Sequence, residues 1–196
     1  MTSLPESSET VEPPIETPDK QGLKPARSLV IVNTGHGKGK STAAFGTLLR
    51  AVARGWPVAV VQFLKSGDWR AGEEKICRQL GVDWFTAGDG FTWDSTNLDE
   101  SQATARAAWA LANDLIAGGQ HRLVILDEVS YAMTWDWIDT EAVCEAIAHR
   151  PEDVNLILTG RDMPQSIVDL AHTATKMCNI KHAFDAGYVA KKGIDY

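Results

Sequence analysis

Apolar, β-branched runs alternating with longer helical patterns predict an α/β fold. Its form is a three-layer sandwich with a mostly parallel central sheet covered by helices on both faces. Three observations carry this expectation. The runs "SLVIVN" (28–33), "PVAVVQFL" (57–64), "RLVILDE" (122–128) and "VNLILTG" (154–160) are mainly apolar instead of alternating, as strands buried on both faces are. Helical patterns separate them, which suits parallel crossovers. A glycine-rich turn, "NTGHGKGKST" (33–42), follows the first strand and opens the first helix, at the sheet edge where open parallel sheets bind ligands.

In chain order, residues 1–26 differ from the rest: they hold five of the eight prolines and are rich in Glu, Ser and Thr. Such a segment cannot bury enough apolar surface to offset its ordering entropy, so it is expected to be a disordered tail with an ordered stretch near the domain. The domain spans residues 27–196. After strand 28–33, residues 40–54 read as a helix whose small residues Ala43, Ala44 and Gly46 face a close neighbour. Strand 57–64, helix 73–80 and a short strand 82–87 follow. Residues 99–117 form a long helix with Asp99 as its cap. Strand 122–128 ends in two acids, helix 140–150 is stopped by Pro151, and strand 154–160 precedes helix 164–171, which carries a proline in its first turn. A last strand is expected at 174–180.

Net charge is −7 and pI about 5.2, which argues against general nucleic-acid binding. Cys77, Cys144 and Cys178 are widely spaced and form no C-x-x-C pair, so neither a disulfide framework nor a zinc site is expected. They read as reduced thiols of a cytoplasmic protein. No apolar run approaches the roughly 20 residues that span a bilayer, and the N-terminus lacks the pattern of a secretory signal.

The turn at 33–42 nearly fits the phosphate-loop pattern G-x-x-x-x-G-K-[ST], but Thr34 stands where the first glycine belongs. Backbone amides at 35–42 and the helix N-terminus form a cradle for an anion. Thr34, Gly35, His36, Gly37, Lys38, Gly39, Lys40, Ser41 and Thr42 are therefore candidate phosphate contacts. Lys40 supplies a point charge and the Ser41 hydroxyl is a ligand for Mg²⁺, or for Mn²⁺ in its place. Lys38 is a second cation or a solvated surface lysine, and His36 a phosphate donor or an exposed loop histidine. Such a loop calls for an acidic site on a neighbouring strand, and Asp127 and Glu128 end one. Strand alternation sets their side chains in different directions, and which of the two would hold metal directly stays open. Arg161, after the strand at 154–160, sits at the same carboxyl edge, where it can contact a phosphate or form an ion pair. Loop and acidic strand together give a P-loop NTPase-like, RecA-like form of the α/β sandwich, binding a nucleoside triphosphate with Mg²⁺.

The segments "TGHGKGKSTAAFG" (34–46), "GDGFTWD" (88–94), "LVILDEVSYA" (123–132), "LTGRDMP" (158–164) and "KHAFDAGYVAKKGIDY" (181–196) occur in this order. Together they resemble the ATP:corrinoid adenosyltransferases of the CobA/CobO/BtuR type, from about residue 26 to the end. The phosphate loop of that family reads T-G-x-G-K-G-K, so Thr34 fits it. The resemblance implies that a cobalt(I) corrinoid attacks the 5′ carbon of ATP, that tripolyphosphate leaves, and that ATP lies in the loop in reversed sense. It implies a role in adenosylcobalamin biosynthesis or salvage, a flavoprotein electron donor, and a homodimer. Negative charge developing on the leaving triphosphate makes Lys40 catalytic, with the amides at 35–42, Lys38 and Mg²⁺ as further stabilising groups. The resemblance adds a corrinoid amide to the contacts open to Arg161 and gives Phe91 and Trp93 the task of displacing the lower axial ligand of cobalt. Without it, two loop aromatics folded onto the core are the ordinary reading. Asp185, Tyr188, Asp195 and Tyr196 receive no chemistry, and Trp135 and Trp137 are expected to cover a hydrophobic face or an interface. Two other functions fit the loop alone: a conventional P-loop ATPase or small-molecule kinase, and a non-catalytic corrinoid or nucleotide carrier.

Overall fold

The computed structural model describes residues 20–64, 72–86 and 98–195. Six strands form one sheet: β1 (Val30–Thr34), β2 (Val58–Gln62), β3 (Asp83–Thr86), β4 (Leu123–Asp127), β5 (Asn155–Thr159) and β6 (Thr173–Lys176). They are joined through α1 (Lys40–Val52), α2 (Gly72–Gln79), α3 (Leu98–Gly118), α4 (Val129–Thr134), α5 (Thr140–His149) and α6 (Gln165–Leu170). The order across the sheet is β3-β2-β4-β5-β1-β6, and each recorded pairing is parallel. The expected α/β sandwich is the one observed.

Parity along each strand builds the two outer layers. On β4, Leu123 and Ile125 pack with Ala44, Phe45 and Leu48 of α1 and Cys77 of α2. Val124 and Leu126 face the other way, toward Ala108 and Ala112 of α3 and Val143 and Ile147 of α5. The strands thus carry apolar side chains on both faces, which is why they read as continuous runs. Parity also sends Asp127 to the α1 face, beside the start of the first helix.

Several details differ from the sequence expectation. The acidic strand β4 is not next to β1, because β5 lies between them. Of the three small residues on α1, only Ala44 is buried; Ala43 is exposed, and a Cβ at Gly46 would meet nothing within 4 Å. Asp99 falls inside the first turn of α3, one residue beyond its start at Leu98. Pro164 occupies the N-cap of α6 instead of its first turn. Strand β6 ends at Lys176, because the next residues turn to lie along the phosphate loop: Gly37 N donates to Met177 O at 2.8 Å. Helix α4 carried no sequence signal. It is six residues long, its cap Glu128 offers no side-chain hydrogen bond, and it forms because Val129, Ser130, Ala132 and Met133 are buried. Trp137 packs partly buried against the core, as expected, with its ring tilted 59° to that of Trp135 at 4.9 Å, and Trp135 lies 5.4 Å from Tyr131. Residues 1–19 of the expected tail and the F-T-W segment at 91–93 lie outside the described residues.

Candidate active site

The carboxyl ends of β1, β4 and β5 bring three segments together: the loop 34–42, the acidic end 127–128 and the turn 160–163. Beneath them one polar rung crosses the sheet on the α1 face. Trp84 Nε1 donates to Gln62 Oε1 at 3.2 Å, and Gln62 Nε2 donates to Asp127 Oδ2 at 3.0 Å. Thr159 Oγ1 donates to Asp127 Oδ1 at 2.8 Å while accepting from Glu128 N at 2.9 Å. The indole is a donor only, so it fixes which end of the Gln62 amide faces Asp127. The backbone amide of Glu128 likewise fixes where the Thr159 proton goes. Both carboxylate oxygens of Asp127, which is 0% exposed, therefore serve as acceptors. On β1, Asn33 Nδ2 donates to Lys40 O at 3.2 Å and ties the first turn of α1 to the same layer.

Lys40 is half-buried at the start of α1, and its Nζ donates to Gly37 O at 2.7 Å, inside the loop. Burial pushes its pKa below the ordinary lysine value, and Arg161 and Lys38 push the same way against Glu128 and Asp127. The loop cations, Arg161 and the two acids therefore form one electrostatic cluster. Burial also raises the Tyr131 phenol, Arg161 opposes this, and Glu128 and Asp162 add to it. Tyr131 and Asp162 belong to this edge although no sequence pattern singled them out. Two of the three described non-glycine residues with positive φ sit here, Glu128 at 62° and Asp162 at 50°. Such backbone costs about 1–3 kcal/mol and persists only where surroundings over-determine it. Here Thr159 holds the Glu128 amide, and Ser130 Oγ donates to Arg161 O at 2.6 Å beside Asp162.

Several loop residues are engaged by neighbouring segments. The Thr34 hydroxyl accepts from Met163 N at 3.2 Å, so it fastens the 160–163 turn to the loop. His36 Nε2 lies 3.1 Å from Asp162 Oδ1, and Lys38 is ion-paired with Asp195. Gly37 is glycine because the loop runs against the chain after β6: a Cβ there would meet Cys178 O at 2.7 Å and Met177 C at 2.9 Å. Gly37→Ala is thus expected to destabilise the protein by about 1–3 kcal/mol in urea unfolding, because backbone at 177–178 must move. Gly46→Ala, on the open side of α1, is expected to raise stability by about 0.5–1 kcal/mol in the same assay. Equal responses would show that the loop glycine is not set by this contact.

Lys40, Ser41, Asp127, Glu128 and Arg161 are all placed at this one edge. Among the described residues, no cluster of three or more His, Cys, Asp or Glu side chains is arranged to hold a metal by itself. No described helix is long and apolar enough to cross a membrane, and Cys77, Cys144 and Cys178 are free thiols.

A parallel sheet, a glycine loop capping the first helix, and a buried acid at the end of a nearby strand define a protein of the phosphate-loop α/β class. Residues 26–196 match the family described as ATP:corrinoid adenosyltransferase BtuR/CobO/CobP. The chain is 43% identical over 170 residues to a corrinoid adenosyltransferase of Escherichia coli K12, covering 87% of this chain and 86% of that protein. It is 42% identical, with the same coverage, to corrinoid adenosyltransferase CobA of Salmonella typhimurium. To a corrinoid adenosyltransferase of Pseudomonas aeruginosa it is 38% identical over 172 residues, 87% of this chain and 84% of that one. The chain belongs to the ATP:corrinoid adenosyltransferase family.

Proposed function

We propose that this chain transfers the 5′-deoxyadenosyl group of ATP to the cobalt(I) of a corrinoid and releases tripolyphosphate. The observation that carries this reading is the family match over 26–196 together with a loop whose lysine sits among Asp127, Glu128 and Arg161. A cobalt–carbon bond forms and the bond from C5′ to the bridging oxygen breaks. The electron pair for the new bond comes from cobalt(I), and the pair of the broken bond leaves on the triphosphate. The nucleophile carries its own electron pair, so the chain need supply no general base. Negative charge develops on the leaving oxygen, where loop amides, Lys40 and Arg161 stabilise it. The remaining work is holding cobalt and C5′ in line and excluding water.

Mg²⁺ fits the donor set. The Ser41 hydroxyl and the carboxylates of Asp127 and Glu128 are hard oxygen donors, few enough to leave positions for phosphate and water. When bound, the ion supplies neutralising charge to the phosphates. The compartment and partners belong to this proposal as well: cytoplasmic residence, supported by three unpaired cysteines, a flavoprotein reductant and a homodimer. So does the division at residue 26, where the family match begins.

Protein, MgATP and chemically reduced cob(I)alamin, mixed without oxygen, should give a light-sensitive cobalt–carbon species and tripolyphosphate. ADP and phosphate with the corrinoid untouched would favour a conventional ATPase or kinase, and tight binding without turnover a carrier. Phe91→Ala with Trp93→Ala should reduce turnover starting from cobalt(II) at least about tenfold more than from cobalt(I), since the cobalt(I) state no longer needs its axial ligand removed. Equal losses from both starting states would remove the ligand-displacement role.

A further inference from the structure

The last described turn of the chain lies on the phosphate loop. Lys191 N donates to Asp195 Oδ2 at 2.8 Å, and Asp195 N donates back to Lys191 O at 2.8 Å. Ile194 N also reaches Lys191 O, at 3.0 Å. These bonds close residues 191–195 into a turn with Gly193 at φ 85°. Gly193 lies at the rim of a groove between α1 and α2 lined by Phe45, Leu49 and Ile76. The turn is thereby seated beside the helix that the loop opens. Its carboxylate is pre-positioned, and it is ion-paired with Lys38. The Asp195 side chain is only 20% exposed, against 59% for Lys38, so the acid is the fixed partner and the lysine the one that reaches. The bond from Lys191 and the charge of Lys38 hold the Asp195 carboxyl below the ordinary aspartate value, with His182 adding to the effect.

The loop concentrates positive charge that must be balanced when no polyanion is present. Lys40 is balanced by a neutral carbonyl, Gly37 O, and by the field of Asp127 and Glu128. Lys38 instead has a full carboxylate from the far end of the chain. A triphosphate entering the loop competes with both, but only at Lys38 must it displace a negative charge. We propose that Asp195 is an intramolecular stand-in for phosphate on Lys38, a positioning residue that weakens the grip of the loop on ATP and on the tripolyphosphate leaving group. This rests on reading the loop as a triphosphate site. A tightly held polyphosphate would block the loop after each turnover, and a returning carboxylate helps expel it.

The test is calorimetric titration of the full chain with inorganic tripolyphosphate, beside steady-state kinetics in ATP. Asp195→Asn should bind tripolyphosphate about three- to tenfold more tightly at low salt. The gap should shrink as ionic strength rises. KM for ATP should fall in Asp195→Asn while kcat does not rise. In a Lys38→Met background the same substitution should change little, since the two charges act as a pair. In the wild-type chain, tripolyphosphate should shift the Lys191 amide resonance, because that N–H is bonded to Asp195. Equal or weaker binding by Asp195→Asn, an undiminished gain in the Lys38→Met background, or an unmoved Lys191 amide would each overturn the proposal while leaving the triphosphate site standing. A wild-type chain that binds neither ATP nor tripolyphosphate would take the nucleotide reading down with it.

Discussion

Lys40→Met is expected to reduce adenosyl transfer by at least about 100-fold without lowering the melting temperature at neutral pH. The loss follows from geometry: this ammonium lies inside the loop, on Gly37 O, where a leaving triphosphate would develop charge. The unchanged stability follows from linkage. The folded-state pKa of Lys40 is lowered, first by burial and then by Arg161. In the window between the folded and the ordinary lysine pKa, the unfolded chain binds more protons, so this group makes stability rise with pH there. Below that window, neutral pH included, its charge is a net burden on the folded state. Methionine keeps the stem and removes the charge. Thermal melts of both chains at pH 7 and near pH 10, with and without tripolyphosphate, check this. Tripolyphosphate should raise the melting temperature of the wild-type chain and barely move that of the variant. A variant clearly less stable at pH 7 would mean that the Lys40 ammonium holds the fold together, against the sign derived from its burial.

Asp127→Ala carries the largest expected cost in stability, about 2–4 kcal/mol. The carboxylate is fully buried and accepts from Thr159 and Gln62, each of which is held in place from its other side. Gln62 cannot turn its amide without losing Trp84, and Thr159 cannot redirect its proton without losing the Glu128 amide. Removing the acceptor leaves both donors buried and unpaired. Asp127→Asn keeps one acceptor oxygen, so about half the loss is expected. Asp127→Ala with Gln62→Leu and Thr159→Val should recover part of the stability, since both stranded donors disappear. Urea unfolding of the series decides it. If Asp127→Ala unfolds at the wild-type midpoint, the rung does not stabilise the sheet. Activity should stay absent in every member, the triple variant included, if Asp127 also serves the Mg²⁺ site.

Much of the fold was legible because its strands are buried on both faces. "VAVVQ", "LVILD" and "NLILT" read as strands without reference to anything else, and the sheet is built on them. Helix α5 was equally plain from its helical pattern and the stop at Pro151, whereas its cap Asp139, whose Oδ1 accepts from Glu141 N at 3.0 Å, was not singled out by the sequence. Weak local signals misled. Helix α4 has no cap and only six residues, and the edge strand β6 is exposed along its whole length, so no apolar pattern marks where it stops. At the site, Lys40, Ser41 and the Asp127–Glu128 pair announced themselves through spacing. Gln62, Thr159 and Trp84 did not, because a polar residue at a strand end has no pattern of its own.

The sequence by itself determined the class of protein: apolar runs, the glycine loop with its lysine, and an acidic strand end are local features with local physical causes. It also determined the family, through segments such as "GDGFTWD" and "FDAGYVAKKGIDY" that no general physical rule would call for. Only the tertiary structure decided what stands beside what. It placed β5 between the loop strand and the acidic strand, aligned four side chains from four strands into one polar rung, and laid the loop against Met177 and Cys178. It also set Asp195 on Lys38, residues 157 positions apart. Contacts at such separations come from the order in which strands join a sheet and from the crossovers that carry the chain over it, and short-range pattern holds no record of either.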